Sequence, residues 1–185
     1  ENDKFLICDN GNGMTEEELV NSCAFSSATA ASSLIGKYGS GGTAAASVIG
    51  GFKTVLTKQQ DSDLIVLEQN LLENVNALTI RPPTTEESKS FDDLCGDKGT
   101  CIQLSELKSS HQTKVGDRSR ALVKHFARAF RKYLEGGKQI KVLSKGTPTV
   151  VKSYDPLFYN EPQRIIEQDT KTIEIAGQKV KIRLV

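Results

Sequence analysis

The 185 residues include no tryptophan, one methionine, five prolines and two histidines, and almost no excess of either charge. Each shortage closes a class of function. His111 and His125 stand alone in a loop and on a helix, so neither Ser-His-Asp catalysis nor a histidine metal cluster has support. Cys8, Cys23, Cys95 and Cys101 show no C-x-x-C spacing, which removes zinc ribbons and thioredoxin-type redox motifs. Reduced thiols of an intracellular protein, cytoplasmic or nuclear, are expected. No apolar run approaches the ~18 residues of a membrane span, and no signal peptide is visible. With 24 basic and 23 acidic side chains the net charge is +1. That balance gives no global electrostatic reason to expect nucleic acid or a membrane. No G-K-S/T triplet occurs, which excludes a Walker phosphate loop. There is no initiating methionine, so the chain reads as a piece of a longer parent.

What remains is an ordinary globular composition, 37% hydrophobic and 25% charged. By area scaling, a chain of this length can bury ~70% of its unfolded surface, enough for one full domain and the start of another. The informative stretch runs from Phe5 to Gly51. Phe5 to Cys8 is a short apolar run that predicts a buried strand, ending in the turn formers Asp9-Asn10-Gly11-Asn12-Gly13. Asp9 thus sits at a strand end, facing a loop whose glycines let a flat ligand approach the main chain. Thr15 and Glu18 form a T-x-x-E capping box, so a helix starts directly after Met14, with Leu19, Val20 and Cys23 toward the core. Further on, Gly36-Lys37-Tyr38-Gly39-Ser40-Gly41-Gly42 runs into the small-residue segment TAAASVI. A loop of that kind feeding a helix N-terminus is a place where backbone N–H groups meet phosphate.

These residues resemble the GHKL, or Bergerat-fold, ATPases, a family that includes DNA gyrase, the heat-shock chaperone ATPases, sensor histidine kinases, MutL and the MORC proteins. The family's D-x-G-x-G is matched by Asp9, Gly11 and Gly13, with Met14 following. Its G-x-x-G-x-G lid is matched by Gly36, Gly39 and Gly41, and its late G-T strand by Gly99-Thr100. The resemblance implies that Asp9 accepts a hydrogen bond from the adenine amine, that Gly13 and Met14 lie along the base, and that Thr100 contacts the base. It also implies that Gly36 to Gly42 wrap the phosphates of ATP or ADP, with Lys37 and Ser40 in reach of phosphate oxygens. The family's Glu and Asn, which activate water and hold Mg2+, lie on a helix before the first motif. Only Glu1 to Lys4 precede the strand here, so hydrolysis and the metal ligand are expected upstream, in the parent. The implied fold is α+β, a two-layer α/β sandwich with a mixed, mostly antiparallel sheet and helices on one face. The implied function is ATP-driven conformational switching, which in this family is coupled to a neighbouring domain or to homodimerisation.

The remaining segments fit that plan. FKTVLTKQ, DLIVLEQN and NALTIR read as successive antiparallel strands, and Pro82 to Lys98 reads as an exposed polar excursion. Thr100 to Leu104 returns to the sheet. Asp117 is expected to cap a helix running to Gly136 and Gly137, with Leu122, Phe126, Phe130 and Leu134 on its apolar face. Arg120, Lys124, Arg128, Arg131 and Lys132 form a basic stripe opposite, for which a solvated face is the default reading. Lys145 to Pro148 reads as a turn, and residues 172–185 as a hairpin around Ala176-Gly177-Gln178. The expected division is an ATP-binding domain over 1–147, with a linker and the start of a second domain over 148–185. Two alternatives to ATP binding stay open. One is a degenerate module whose basic helix or terminal hairpin binds a partner. The other is a dinucleotide site at Gly39, Gly41, Ala44 and Asp61, disfavoured because SSATAASSLIGKY is too polar to be the buried strand such a site must follow.

Overall fold

The computed structural model describes residues 4–24, 41–109, 115–144, 146–155, 169–175 and 178–184. Its contacts divide the chain into two units, Glu1–Thr113 and Lys114–Val185.

The first unit is built on a five-stranded sheet in the order β1-β5-β2-β3-β4, with every ladder antiparallel. The strands are β1 (Phe5–Asp9), β2 (Gly50–Lys58), β3 (Ile65–Asn70), β4 (Leu78–Arg81) and β5 (Gly99–Leu107). Strands β2, β3 and β4 form the expected meander, and β5 returns to lie between β1 and β2. This is the α+β sandwich that the sequence implies.

Alternation along β2 sends neighbouring side chains to opposite faces. Val55 packs with Leu67 of β3 against Leu19 and Cys23 of α1 (Glu16–Cys23). On the same face, α2 (Gly41–Ile49) sets Ala46 against Leu71 and Leu104. These two helices make the expected helical layer. Leu56 looks the other way and meets Val66, Cys101, Phe91 and Cys95.

Phe91 and Cys95 belong to α3 (Thr85–Cys95), a helix within the stretch expected to be an exposed excursion. Two signals there were outweighed by composition. Thr84 and Glu87 form a capping box like that of Thr15 and Glu18, and Phe91 and Cys95 stand four residues apart on one face. Arg81 fastens the helix start to the sheet by bridging Glu68 of β3 and Glu87 of α3, at 2.8 and 2.6 Å.

Strand β1 corrects a second expectation. It is an edge strand, not a buried one, with Leu6 and Ile7 46% and 53% exposed. A short apolar run does not distinguish an edge from a centre.

The second unit opens with α4 (Val115–Ala129) and α5 (Arg131–Glu135), broken at Phe130, whose backbone (φ −105°, ψ 19°) leaves the helical range. The single expected helix is therefore two, and it starts two residues before Asp117. Its end is a Schellman motif: Gly137, at φ +86°, donates to the Leu134 carbonyl while Lys138 donates to that of Tyr133. Leu122, Val123, Phe126 and Leu134 pack around Ala127, Val142 and Val151. The hairpin of β6 (Lys141–Ser144) and β7 (Thr147–Val150) pairs Ser144 with Thr147, so Thr147 and Pro148 are strand rather than turn. Strands β8 (Asp169–Ile175) and β9 (Gln178–Leu184) form the predicted terminal hairpin, with Thr172, Glu174 and Lys179 exposed.

Candidate nucleotide site

Register places three side chains in one row across three strands. Asp9 at the end of β1 stands opposite Thr100 of β5, and Thr100 stands opposite Thr57 of β2. The Asp9 carboxylate is exposed, and its Oδ1 accepts the Gly11 N–H at 2.8 Å. Among the described residues its other oxygen meets no protein donor. The group is thereby aimed by a local turn while keeping an acceptor for an incoming N–H.

Thr57 was not singled out by sequence reasoning, yet it organises the loop. It is fully buried, and its Oγ1 accepts the Met14 N–H at 2.9 Å, lies 3.2 Å from the Thr100 hydroxyl and donates to the Gly99 carbonyl at 3.1 Å. All three bonds are satisfied together when Thr100 donates to Thr57. The Asp9 loop, the start of α1 and the start of β5 are thus held by one hydroxyl. Nothing in local sequence marks it, because Thr57 and Met14 are 43 residues apart.

Two glycines around this loop, Gly13 and Gly99, are steric necessities. Gly13 has φ +68°, and a Cβ there would run into the Lys58 carbonyl. Gly99 has φ +143°, and a Cβ would strike the Asp9 carbonyl. A Cβ at Gly11 would lie 2.7 Å from Asp9 Oδ1. Met14 turns its half-buried side chain into the α1 cluster with Leu19 and Val55. Lys98 reaches Asn12 Oδ1 at 3.3 Å on the rim. Beneath the row, Cys95 points its thiol at the Thr100 carbonyl, 3.7 Å away. Burial, with the Asp9 carboxylate adding to it, pushes that thiol up to about 11, so it is inert at neutral pH.

Cys8 and Cys101, expected as free thiols, face each other in the β1–β5 register with Cα atoms 4.0 Å apart and their sulfur atoms adjacent. Their spacing hid the pairing, since the two residues lie 93 apart and meet only through strand register. Cys23 and Cys95 are free and buried.

Of the expected phosphate loop, Gly36, Lys37, Tyr38, Gly39 and Ser40 lie outside the described residues. Gly41 and Gly42 open α2, and among the described residues a Cβ at either would meet nothing within 4 Å. Directly after them, Thr43 donates to the Cys23 carbonyl at 3.2 Å and accepts from Lys53 Nζ at 3.3 Å, so the start of α2 is tied to both α1 and β2. Gln69 Nε2 donates to the same Cys23 carbonyl, at 3.1 Å. Asp61, at φ +60° in the β2–β3 turn, is a turn residue, which removes the acidic partner of the dinucleotide alternative.

A family model matches residues 1–115, and its description is histidine kinase-, DNA gyrase B- and HSP90-like ATPase. The chain belongs to this family. The match covers the unit that carries the Asp9–Thr100–Thr57 row and all three motifs. No curated protein matches the chain. Family membership makes residues 1–115 an ATP-binding type of domain, and the polar groups fit an adenine: an aimed carboxylate at a strand end, beside a threonine and a loop with glycine at 11 and 13. Magnesium finds less here. Among the described residues no group of three or more His, Cys, Asp or Glu side chains could hold a metal ion. No helix among them is long and apolar enough to cross a membrane.

Proposed function

We propose that this domain binds ATP and ADP with the adenine amine on Asp9, the base lying over Gly11 to Met14 beside Thr100, and the phosphates under Gly36 to Gly42. The observation that carries the reading is the Asp9 carboxylate, anchored through one oxygen by Gly11 and open at the other. Nucleotide binding then acts as a switch, because contacts between the last phosphate and the glycine loop favour one arrangement of that loop. Hydrolysis belongs to an intact intracellular parent that supplies the carboxylate base and the magnesium ligand, and loop order there is coupled to a neighbouring domain beyond residue 147 or to homodimerisation.

Titration calorimetry with ADP and with ATP tests the assignment. A hydrogen bond to a charged group contributes ~1.5–3 kcal/mol, so Asp9→Asn weakens both nucleotides by about 10- to 150-fold. Unchanged affinity in that variant refutes the role of Asp9. The rival reading, a degenerate interaction module, predicts no nucleotide-dependent rise in the melting temperature of the unaltered chain.

A further inference from the structure

The near-neutral total conceals two units of opposite charge. Residues 114–185 hold 16 Lys and Arg against 7 Asp and Glu, a net of +9, whereas residues 1–113 hold 8 against 16, a net of −8. Segregation on this scale is the electrostatic footprint of a polyanion-binding unit.

Within the basic unit, the charge has a definite address. An open cleft of about 680 Å³ lies between α4 and the β7 end, with Lys124, Arg128 and Lys152 on its walls, Val123 and Ala127 on its floor and Tyr154 at its edge. A smaller cleft of about 230 Å³ adjoins it through Val123 and Lys124 and adds Arg120. Three of the unit's seven acids pair with cations outside the larger cleft: Asp155 and Glu135 with Arg131, and Asp117 with Arg120. Arg131, part of the stripe noted in the sequence, is therefore a structural residue. Among the described residues Lys124, Arg128 and Lys152 form no ion pair.

We propose that the 114–185 unit binds a single nucleic-acid strand along this cleft. Phosphates meet Lys124, Arg128 and Lys152, and a base stacks on Tyr154. Arg120, Lys124 and Arg128 recur every four residues, a rise of ~6 Å per step, which suits a repeating charge better than a single carboxylate. A half-exposed tyrosine beside such a row supplies a face for an unstacked base, which an acidic peptide has no use for and a duplex keeps inside its own stack.

Fluorescence anisotropy with a labelled 20-nucleotide oligothymidylate and the full chain tests the proposal. Each phosphate contact contributes ~0.7 to the slope of log affinity against log salt, so three cations give a slope near −2. The exposed triple variant Lys124→Ala, Arg128→Ala, Lys152→Ala flattens that slope. Tyr154→Ala weakens the strand roughly five- to a hundred-fold and leaves the slope in place. Circular dichroism verifies that both variants are folded. The proposal fails if the oligonucleotide does not bind at low salt, if the triple variant binds as well as the parent chain, or if polyglutamate displaces the strand as effectively as unlabelled oligonucleotide. It also fails if sedimentation shows that the cleft instead holds the acidic unit of a second copy, seen as self-association that the triple variant loses.

Discussion

Replacing Thr57 by valine isolates the hydroxyl that holds the candidate site together. The substitution keeps the branched shape, so no cavity opens, but it removes an acceptor for Met14 N–H and the Thr100 hydroxyl and a donor to the Gly99 carbonyl. Each such bond contributes ~0.5–1.5 kcal/mol, and a buried group left unpaired costs ~1–3 kcal/mol. Allowing for partial rearrangement of Thr100, the variant is destabilised by about 2–4 kcal/mol. For a domain of roughly 100 residues that corresponds to a fall in melting temperature on the order of 10 °C or more. Hydrogen exchange reads the local effect directly: the Met14 amide, protected in the parent chain, exchanges far faster in Thr57→Val and regains protection in Thr57→Ser. Adenine nucleotides lose affinity in the same order, because the loop carrying Asp9 is no longer fixed to β2. Parent-like stability together with an unchanged Met14 exchange rate would refute the reasoning.

The remaining predictions rest on single contacts. The Arg81 guanidinium holds the Glu87 carboxyl down to about 2 from the usual 4.5. The stability this pair contributes, on the order of 1 kcal/mol after solvent screening, is therefore fully present above pH 4.5 and is lost as the pH falls toward 2. Denaturant titrations across that range should show the loss in the parent chain and not in Glu87→Gln. Phe91→Ala empties a fully buried position between α3 and the sheet and costs ~3–5 kcal/mol by chemical denaturation, against near zero if Pro82 to Lys98 were a surface loop. Gly42→Ala has room for its methyl and a better helix former in α2, so it leaves stability equal or higher by up to ~1 kcal/mol, while calorimetry finds weaker binding of nucleotides that carry a phosphate tail.

Local chemistry made much of this fold legible. The Thr15 capping box, the strand rich in β-branched residues over 52–58, the terminal hairpin and the glycine turn after Asp9 are each written within a few residues, and each was readable. What stayed hidden depends on partners distant in sequence. Whether Phe5 to Cys8 is an edge or a centre is decided by which strands lie beside it, and Cys8 meets Cys101 only through register. Thr57 looks like any strand threonine until Met14 and Gly99 arrive from either side. The α3 helix is a different kind of miss: its cap was visible, but a polar, proline-bearing composition was given more weight than the four-residue spacing of Phe91 and Cys95. The charge segregation was visible residue by residue and vanished in the whole-chain sum.

The glycines of the two motifs fall into separate physical classes, and the difference bears on what each loop does. Gly13 and Gly99 are glycine because the fold leaves neither the space nor the backbone angle for anything else, so their identity is explained without a ligand, whereas a Cβ at Gly11 would displace only the Asp9 carboxylate. Gly41 and Gly42 have open space where a Cβ would go, and glycine at the start of a helix sacrifices propensity that alanine would supply. Folding of the described residues does not account for them. The proposed approach of main-chain N–H groups to a nucleotide's phosphates would account for them. On the proposed reading, the adenine end of the candidate site is fixed by the sheet, whereas Gly41 and Gly42 at its phosphate end answer to the nucleotide rather than to packing.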